Sequence, residues 1–513
     1  MPISRAESNA FAERLNRVKR LVIHTHSHEA QMPDDASQLS TIPVKNPRTG
    51  EIDYHVTPPT TDEIVKECTS LRAAQVDWAN APLSDRMGIM LKWADAVEAN
   101  RDAIIKAESK DTGRWRLSSE SPDAVIWGIR GWCDRAEGII ENALRVGQSS
   151  TMPSIKLTQQ LVPYPLLGVI SPWNFPLMLS SIDAIPALIA GSAAIIKPSE
   201  VTPRFIEPLK ESIAAVPELD RVLTYVAGGG QTGQDMINNV DIICFTGSVP
   251  TGRKVAEASA RNFIPAFLEL GGKDPVIVTK SADLERATDA VLRGSVHATG
   301  QICFSIERVY VDDSIHDEFV DRLVEKTNKI SLNDSDIHKG HVGPLIFEKQ
   351  AGIIDRQLDD AIAKGAQIRS GGKSQDIRGG KYVPPTVVTD VSHDMTLMRD
   401  ETFGPVMPVM KFSSIDEAIA LANDTEFGLS AAVIAGDENE AMEIGKRINA
   451  GGVSLMDTTL TGSILRDAEK TSFNLSGLGG SRMGGASILR FYRKKALMVN
   501  PDMPVKLQDL HET

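Results

Sequence analysis

What most limits the folds open to this chain is the stretch 166–270, where short apolar runs alternate with segments of helical spacing. In order they are LLGVIS, PLMLSSIDAIPALIAG, AAIIKP, TPRFIEPLKESIAAV, VLTYVAGG, a short helical segment, DIICFTGS, VPTGRKVAEASA and PAFLEL. An unbroken apolar run of this length fits a strand covered on both faces, and strands separated by helices pair in parallel through right-handed crossovers. The stretch predicts a doubly wound sheet of the dinucleotide-binding type. A second mixed series from Val276 to about Leu455, with a strand over 308–311 and a helix over 413–422, predicts another α/β domain.

Between them, residues 145–165 alternate polar and apolar, as in Ser154, Ile155, Lys156, Leu157 and Thr158, and predict a protruding β-hairpin whose edge needs a partner. The expected organisation is an N-terminal arm over 1–43, a dinucleotide-binding domain from 44–144 and 166–270, a catalytic domain over 271–470, and oligomerisation segments at 145–165 and 471–513. A scaffold helix is expected to start at Ser84, a good N-cap, with Met87, Met90, Leu91, Ala94 and Val97 on its apolar face. The apolar run 488–492 is expected to need cover from a partner, and Arg493, Lys494 and Lys495 read as a solvated or interface face.

Composition removes several function classes. With 513 residues, 42% of them apolar, the chain can bury an extensive core. Asp and Glu outnumber Lys and Arg by 68 to 55, a net charge of −13, so nothing attracts a nucleic-acid backbone. Cys68, Cys133, Cys244 and Cys303 are too scattered for a disulfide framework or a zinc site and suit a reducing cytoplasm. No metal is expected: His24, His26 and His28 would share one face of an extended segment, but no further ligand lies nearby. The run 177–196 is broken by Asp183, Pro186 and Gly191, which argues for a buried helix and strand rather than a membrane span.

The residues able to do chemistry lie at predicted strand ends. Cys303, in HATGQICFSIERVYV, precedes a strand and can be presented to a cleft, although an isolated cysteine commonly serves as a small buried apolar residue. Glu269 ends a strand in FLELGGKDP, and Glu401 precedes the Gly-Pro turn of ETFGPV; either could otherwise be a surface carboxylate. Asn174, in ISPWNFP, can cap a helix starting at Pro176 or donate to an oxyanion. Lys197 and Glu200, in IIKPSE, can bond ribose hydroxyls or occupy a solvated turn. Gly228, Gly230 and Gly233, then Gly247 and Gly252, follow strands, and a helix opening at Ser248 suits a pyrophosphate. Neither cluster has the usual GxGxxG form.

Taken together, PWNFP, IIKPSE, FTGSVPTG, ELGGK, GQIC and ETFGPV, in this order and spacing, resemble the aldehyde dehydrogenase superfamily over roughly Pro43 to Lys495. The resemblance implies Cys303 as nucleophile, Glu269 as general base and Asn174 as oxyanion donor. It also implies contacts to NAD or NADP from Ser171, Pro172 and Trp173, from Lys197, Ser199 and Glu200, and from Gly230 and Gly233. Further contacts are implied for Phe245, Thr246, Gly247 and Ser248, for Leu270 and Gly271, and for Glu401 and Phe403. The implied partners are a small-molecule aldehyde and further copies of the chain, as a homodimer or homotetramer.

The chain departs from the commonest pattern at TSFNLSGLGGSRMGG, where a PFGG-type loop is usual, and at Met456, where many members have Asn. Those segments line the substrate mouth in the family. Phe175, Ile302, Phe304 and Phe473 are candidate walls for a hydrophobic aldehyde. Glu269 favours hydrolysis over acyl transfer to coenzyme A, and Glu200 favours NAD by repelling a 2′-phosphate. The other readings are a cofactor-independent thiol esterase and a non-catalytic binding or structural protein on the same scaffold.

Overall fold

The computed structural model describes residues 41–144, 146–464 and 466–510; the arm up to residue 40, with His24, His26 and His28, lies outside them. Leu166–Ile170 is the first strand of a six-stranded sheet. Ala193–Lys197 and then Leu223–Tyr225 lie on one side of it, Ile242–Thr246 and Ala266–Glu269 on the other, all parallel. In chain order the five run 3-2-1-4-5, so the order reverses between Leu166–Ile170 and Ile242–Thr246, where doubly wound sheets bind ligands beyond the strand ends. The register aligns Ile170 with both Lys197 and Phe245, and Thr246 with Glu269, which brings these candidates to one carboxyl edge. Gly477–Leu478 closes the sheet antiparallel to Ala266–Glu269.

The parallel strands are mostly apolar because helices cover both faces, with Lys197, Thr246 and Glu269 only at their carboxyl ends. Among the described residues five helices precede the sheet: Thr61–Asn80, Leu83–Ala99, Arg101–Thr112, Arg116–Cys133 and Ala136–Ala143. Ile64, Leu71, Met90, Trp93 and Ile129 from them join Leu167, Ile195 and Ile243 of the sheet in one core. Each such fully buried large side chain contributes about 1.5–3 kcal/mol. The first helix carries a capping box, Thr60 with Glu63. The second has its N-cap position at Pro82, two residues before the Ser84 cap that its sequence suggests. Pro82 occupies the position before Leu83, no side chain caps the end, and Leu91 is 40% exposed instead of facing the core. The apolar segment after Ile170 forms two short helices, Pro176–Ser181 and Ala184–Ala190, before the next strand.

A seven-stranded sheet holds Gln367–Ser370, Thr386–Thr389, Val406–Phe412, Ile306–Asp312, Asp274–Val278, Ser430–Ile434 and Gly452–Leu455 side by side, with only Gln367–Ser370 antiparallel. Ala266–Glu269 runs into Asp274–Val278 through residues 270–273. Four residues reach at most about 14 Å. The carboxyl edge of the first sheet must therefore meet the amino edge of the second, where the residues preceding Ile306, Val406 and Ser430 emerge.

The expected hairpin is present as Val146–Gln148 and Lys156–Pro163, and Tyr492–Val499 joins it as a third, antiparallel strand. The expectation for 488–492 needs correction: Ile488, Phe491 and Tyr492 are buried in the chain's own core. It is Leu497, Met498 and Val499, farther along the last strand, that are exposed. Among the described residues no helix is long and apolar enough to cross a membrane.

Candidate active site

Cys303 is delivered by a strained loop. After the helix Leu284–Val296, Ala298, Thr299 and Gly300 have φ of 54°, 63° and 65°, a left-handed run that costs the non-glycine residues about 1–3 kcal/mol each. Surrounding hydrogen bonds hold it. Arg114 Nη2 donates to Ala298 O at 2.5 Å, Thr299 Oγ1 to Gly343 O at 3.3 Å, and Gln301 Nε2 to Pro344 O at 3.4 Å, while Gln301 Oε1 accepts from Ile346 N at 2.9 Å. A Cβ at position 300 would stand 2.3 Å from the Gly404 carbonyl, so only glycine fits the close approach. Ile302 is buried in the loop, and Cys303 itself is partly exposed.

Asn174 comes from the other sheet, four residues beyond Ile170. It does not cap the helix Pro176–Ser181, whose preceding residue is Phe175 and whose end has no side-chain cap. Its Nδ2 instead donates to Gln301 O at 3.0 Å, while its carbonyl accepts from Arg114 Nη1 at 3.1 Å. An amide nitrogen carries two hydrogens, so one fixes the plane and the other stays available beside the Cys303 loop. Buried Arg114 thus ties both segments together, with its guanidinium 5.9 Å from the Phe175 ring centroid.

Glu269 is held by the C-terminal segment. Gly477 pairs with it across the antiparallel strands, and Ser472 Oγ donates to its Oε2 at 2.7 Å. Nearby, Arg482 donates to Asp183 and to Thr246 Oγ1, and Arg490 donates to the same aspartate. Burial would raise the Asp183 carboxyl, but the two guanidinium groups hold it below its usual range. Phe473 binds Gly428 through its backbone and is 39% exposed, whereas the Phe304 ring lies beside Gly462.

Glu401 explains the paired glycines of ELGGK. A Cβ at 271 would come within 2.6 Å of both carboxylate oxygens, and Gly272 N donates to Glu401 Oε1 at 3.2 Å. Burial pushes this carboxyl up to about 8, Glu307 adds to the rise, and the Gly272 amide and Lys273 oppose it. Glu307 in turn accepts from Lys273 Nζ, Thr402 N and Phe403 N at 2.7–2.8 Å. That fixes Phe403 at φ 50°, edge-on to Trp173 at 5.4 Å, with the Phe347 ring tilted against Trp173 at 6.1 Å.

At the carboxyl edge, Lys197 Nζ donates to Gly228 O at 2.9 Å and Pro198 O at 3.1 Å, with Glu200 at 3.5 Å. Ser199 Oγ accepts from Val201 N, and Gly230 and Gly233 lie in the helix Gly230–Ile237. Ser248 precedes the helix Val249–Arg261, whose first turn has no side-chain cap, and Ser171 Oγ and Asn174 Oδ1 are buried without partners among the described residues. Uncapped N–H groups at a strand-order reversal, with the unmet Ser171 hydroxyl at the end of the neighbouring strand, fit a phosphate-bearing dinucleotide. Burial drives the Cys303 thiol up to about 12; Lys470 opposes this most strongly, while Asp274, Glu269 and Glu401 add to it. The roles of Arg114, Gln301, Glu307, Lys470 and Ser472 were not read from the sequence, because their neighbours are distant in the chain, although Gln301, Glu307 and Ser472 lie within the motifs quoted.

A family model described as "Aldehyde dehydrogenase family" matches residues 34–497. A protein of Mycolicibacterium smegmatis named "Putative succinate-semialdehyde dehydrogenase", with NADP(+) in its name, is 33% identical over 92% of this chain and 92% of its own length. The solved structure of "Putative Aldehyde Dehydrogenase PutA" from Anabaena variabilis is 48% identical, covers 92% of this chain and all of that one, and superposes with a TM-score of 0.89. Betaine aldehyde dehydrogenase from Staphylococcus aureus in complex with NAD+ is 28% identical over 92% of this chain and 94% of that one, with a TM-score of 0.85.

Proposed function

The chain belongs to the aldehyde dehydrogenase family and is an oxidoreductase of aldehydes; from that premise we propose that it converts a hydrophobic aldehyde to the carboxylic acid through a thioester on Cys303. NAD is the favoured cofactor and NADP the second. One observation supports this reading above the others: the Asn174 side chain donates to Gln301 O, its backbone carbonyl shares Arg114 with Ala298 of the Cys303 loop, and Glu269 and Glu401 are among the carboxyl groups whose charge reaches the sulfur.

In this mechanism the Cys303 sulfur adds to the carbonyl carbon, and the free hydrogen of Asn174 Nδ2 and the Cys303 N–H stabilise the oxyanion. A bound nicotinamide would supply the acceptor for the hydride leaving that carbon. Glu401 would hold the adjoining ribose diol, with Phe403 and Trp173 walling the ring. Lys197 and Glu200 would face the other ribose, and the helix start at Ser248 the pyrophosphate. A thioester remains on the sulfur. Glu269 then takes a proton from water, the hydroxide attacks the thioester, and the acid departs as sulfur regains the electron pair.

Phe175, Ile302 and Phe304 support an apolar substrate, and Phe473 would lie farther out. A carboxylated aldehyde is the second reading, favoured by the name of the Mycolicibacterium relative and by the buried charge of Lys470. The three-stranded sheet, with its exposed last strand, is the face on which a homodimer or homotetramer would form. A panel of aliphatic, aromatic and carboxylated aldehydes assayed with NAD and NADP separates the readings. Turnover is expected to be highest with an apolar aldehyde and NAD, and Cys303→Ser should abolish it while leaving NAD binding intact. Aldehyde oxidation by Cys303→Ser would overturn the mechanism, and ester hydrolysis without cofactor as the sole activity would favour the thiol esterase.

A further inference from the structure

The segment 401–403 carries the two groups that the proposed mechanism sets beside the nicotinamide, and its backbone is held by side chains to which that mechanism gives no part. Glu307 Oε2 accepts from Thr402 N at 2.7 Å and from Lys273 Nζ at 2.8 Å, and Glu307 Oε1 accepts from Phe403 N at 2.8 Å. Lys273 Nζ also donates to Thr402 Oγ1 at 2.8 Å, and that hydroxyl gives its own hydrogen to Gln357 Oε1 at 2.7 Å. From the helix Lys349–Ala363, Gln350 Nε2 donates to Thr402 O at 2.6 Å and Gln357 Nε2 to Glu401 O at 3.2 Å. Lys273, Glu307, Gln350, Gln357 and Thr402 are all buried. Phe403 lies in the left-handed region, which a phenylalanine enters only where its surroundings hold it. The Lys273–Glu307 pair also stands at a junction: Lys273 follows Glu269 by four residues on the link between the sheets, and Glu307 follows Cys303 by four residues on the adjacent strand. Arg308 Nε, next in the chain, donates to Lys273 O at 2.8 Å and keeps the two in register.

We infer that Lys273 and Glu307 are positioning residues for hydride transfer: the buried pair fixes the backbone that aims Glu401 and Phe403 at the nicotinamide, in a set relation to Cys303 and Glu269. The inference rests on the mechanism proposed above. A buried ion pair adds little stability once the hydration its charges give up is counted, and apolar residues of similar volume often replace one without loss. Apolar residues cannot accept two backbone N–H groups or set the direction of a hydroxyl, and this pair does both. Misplacing reacting groups by about 1 Å costs on the order of 10²-fold in rate, so the effect of the cradle falls on the hydride step.

The test uses the full-length protein and two variants. Lys273→Met combined with Glu307→Gln removes both buried charges together, so neither is stranded, and leaves one amide oxygen for the two backbone N–H groups that a carboxylate served. Thr402→Val removes only the hydroxyl and keeps the pair. Single-turnover stopped-flow at saturating NAD follows reduced nicotinamide from octanal or benzaldehyde, whichever the wild type oxidises faster, in ordinary and carbonyl-deuterated form. Hydrolysis of p-nitrophenyl acetate without cofactor reads Cys303, Asn174 and Glu269 apart from the nicotinamide. The double variant is expected to form reduced nicotinamide about 10–100-fold more slowly, with a deuterium isotope effect on that phase, and Thr402→Val to be slowed less, while both hydrolyse the ester at close to the wild-type rate. An unchanged hydride phase would overturn the inference, and so would oxidation and ester hydrolysis falling together, the mark of a merely structural role. Should the double variant not fold, Thr402→Val decides alone. A failure of the underlying mechanism is recognised separately, because Cys303→Ser would then still oxidise the aldehyde.

Discussion

Under the proposed mechanism Glu269 is the base for the second half of the reaction, and two contacts fix its position. The Ser472 hydroxyl holds one carboxylate oxygen, and the strand carrying the glutamate is pinned by Gly477. Glu269→Gln keeps the size and the hydrogen bond but cannot take a proton from water. The expected result is one rapid equivalent of reduced nicotinamide per active site, followed by a steady rate lower by about 10²–10⁴-fold, the usual worth of a positioned base. Stopped-flow absorbance of the reduced cofactor reads both phases, and an unchanged steady rate would assign the base elsewhere. At this scale the sequence was partly legible. Gly271 and Glu401 announced themselves in ELGGK and ETFGPV because a carboxylate this close to a backbone demands glycine. Ser472 did not, since the carboxylate it holds lies roughly 200 positions away along the chain, beyond any local pattern.

Among elements, the turn between the helices Arg101–Thr112 and Arg116–Cys133 has the largest effect for its size. Gly113 ends the first helix with φ 66°, and Arg114 is thereby turned inward to donate to Asn174 O and Ala298 O. A guanidinium spans two carbonyl groups in one plane; an ammonium is a point charge that cannot fix both at once. Arg114→Lys should therefore fold, bind NAD as the wild type does, and lose kcat by about 10–100-fold with little change in KM, the signature of misplaced reacting groups. Steady-state kinetics beside a cofactor titration checks this, and equal loss in kcat and cofactor affinity would show only a structural role. The strands of 166–270 were readable because burial on both faces leaves a run of apolar residues with no other explanation. The start at Ser84 was misread because Pro82 can precede a helix without a capping side chain. The cover of 488–492 was misread because the surface it packs on is formed by residues distant in the chain.

Within 41–513 the six- and seven-stranded sheets meet edge to edge, and the buried carboxyl groups near this meeting and in its neighbouring helix tie stability to pH. Glu108 is buried in the helix Arg101–Thr112, accepts a 2.5 Å hydrogen bond from Ser121 Oγ, and is pushed up to about 8 by that burial. Glu401 is raised to about 8 for the same reason. An acid raised on folding binds its proton in the native state where the unfolded chain has already released it. The native state is then favoured below the ordinary carboxyl range and loses that advantage as pH climbs from about 4.5 to about 8. Asp183 works in the opposite sense. Its lowered carboxyl stabilises the fold above the ordinary range, and that contribution disappears only in acid, as pH falls through its folded value. The apoprotein should thus resist urea better near pH 6 than near pH 8.5. Glu108→Gln, which keeps a partner for Ser121 but cannot ionise, should flatten the decline by something on the order of 2 kcal/mol. Urea midpoints measured at both pH values for the two proteins decide it. A variant as pH-sensitive as the wild type would mean that Glu108 stays ionised in the fold, and its burial beside Ser121 would then need a compensating cation, for which Arg114 is the nearest candidate.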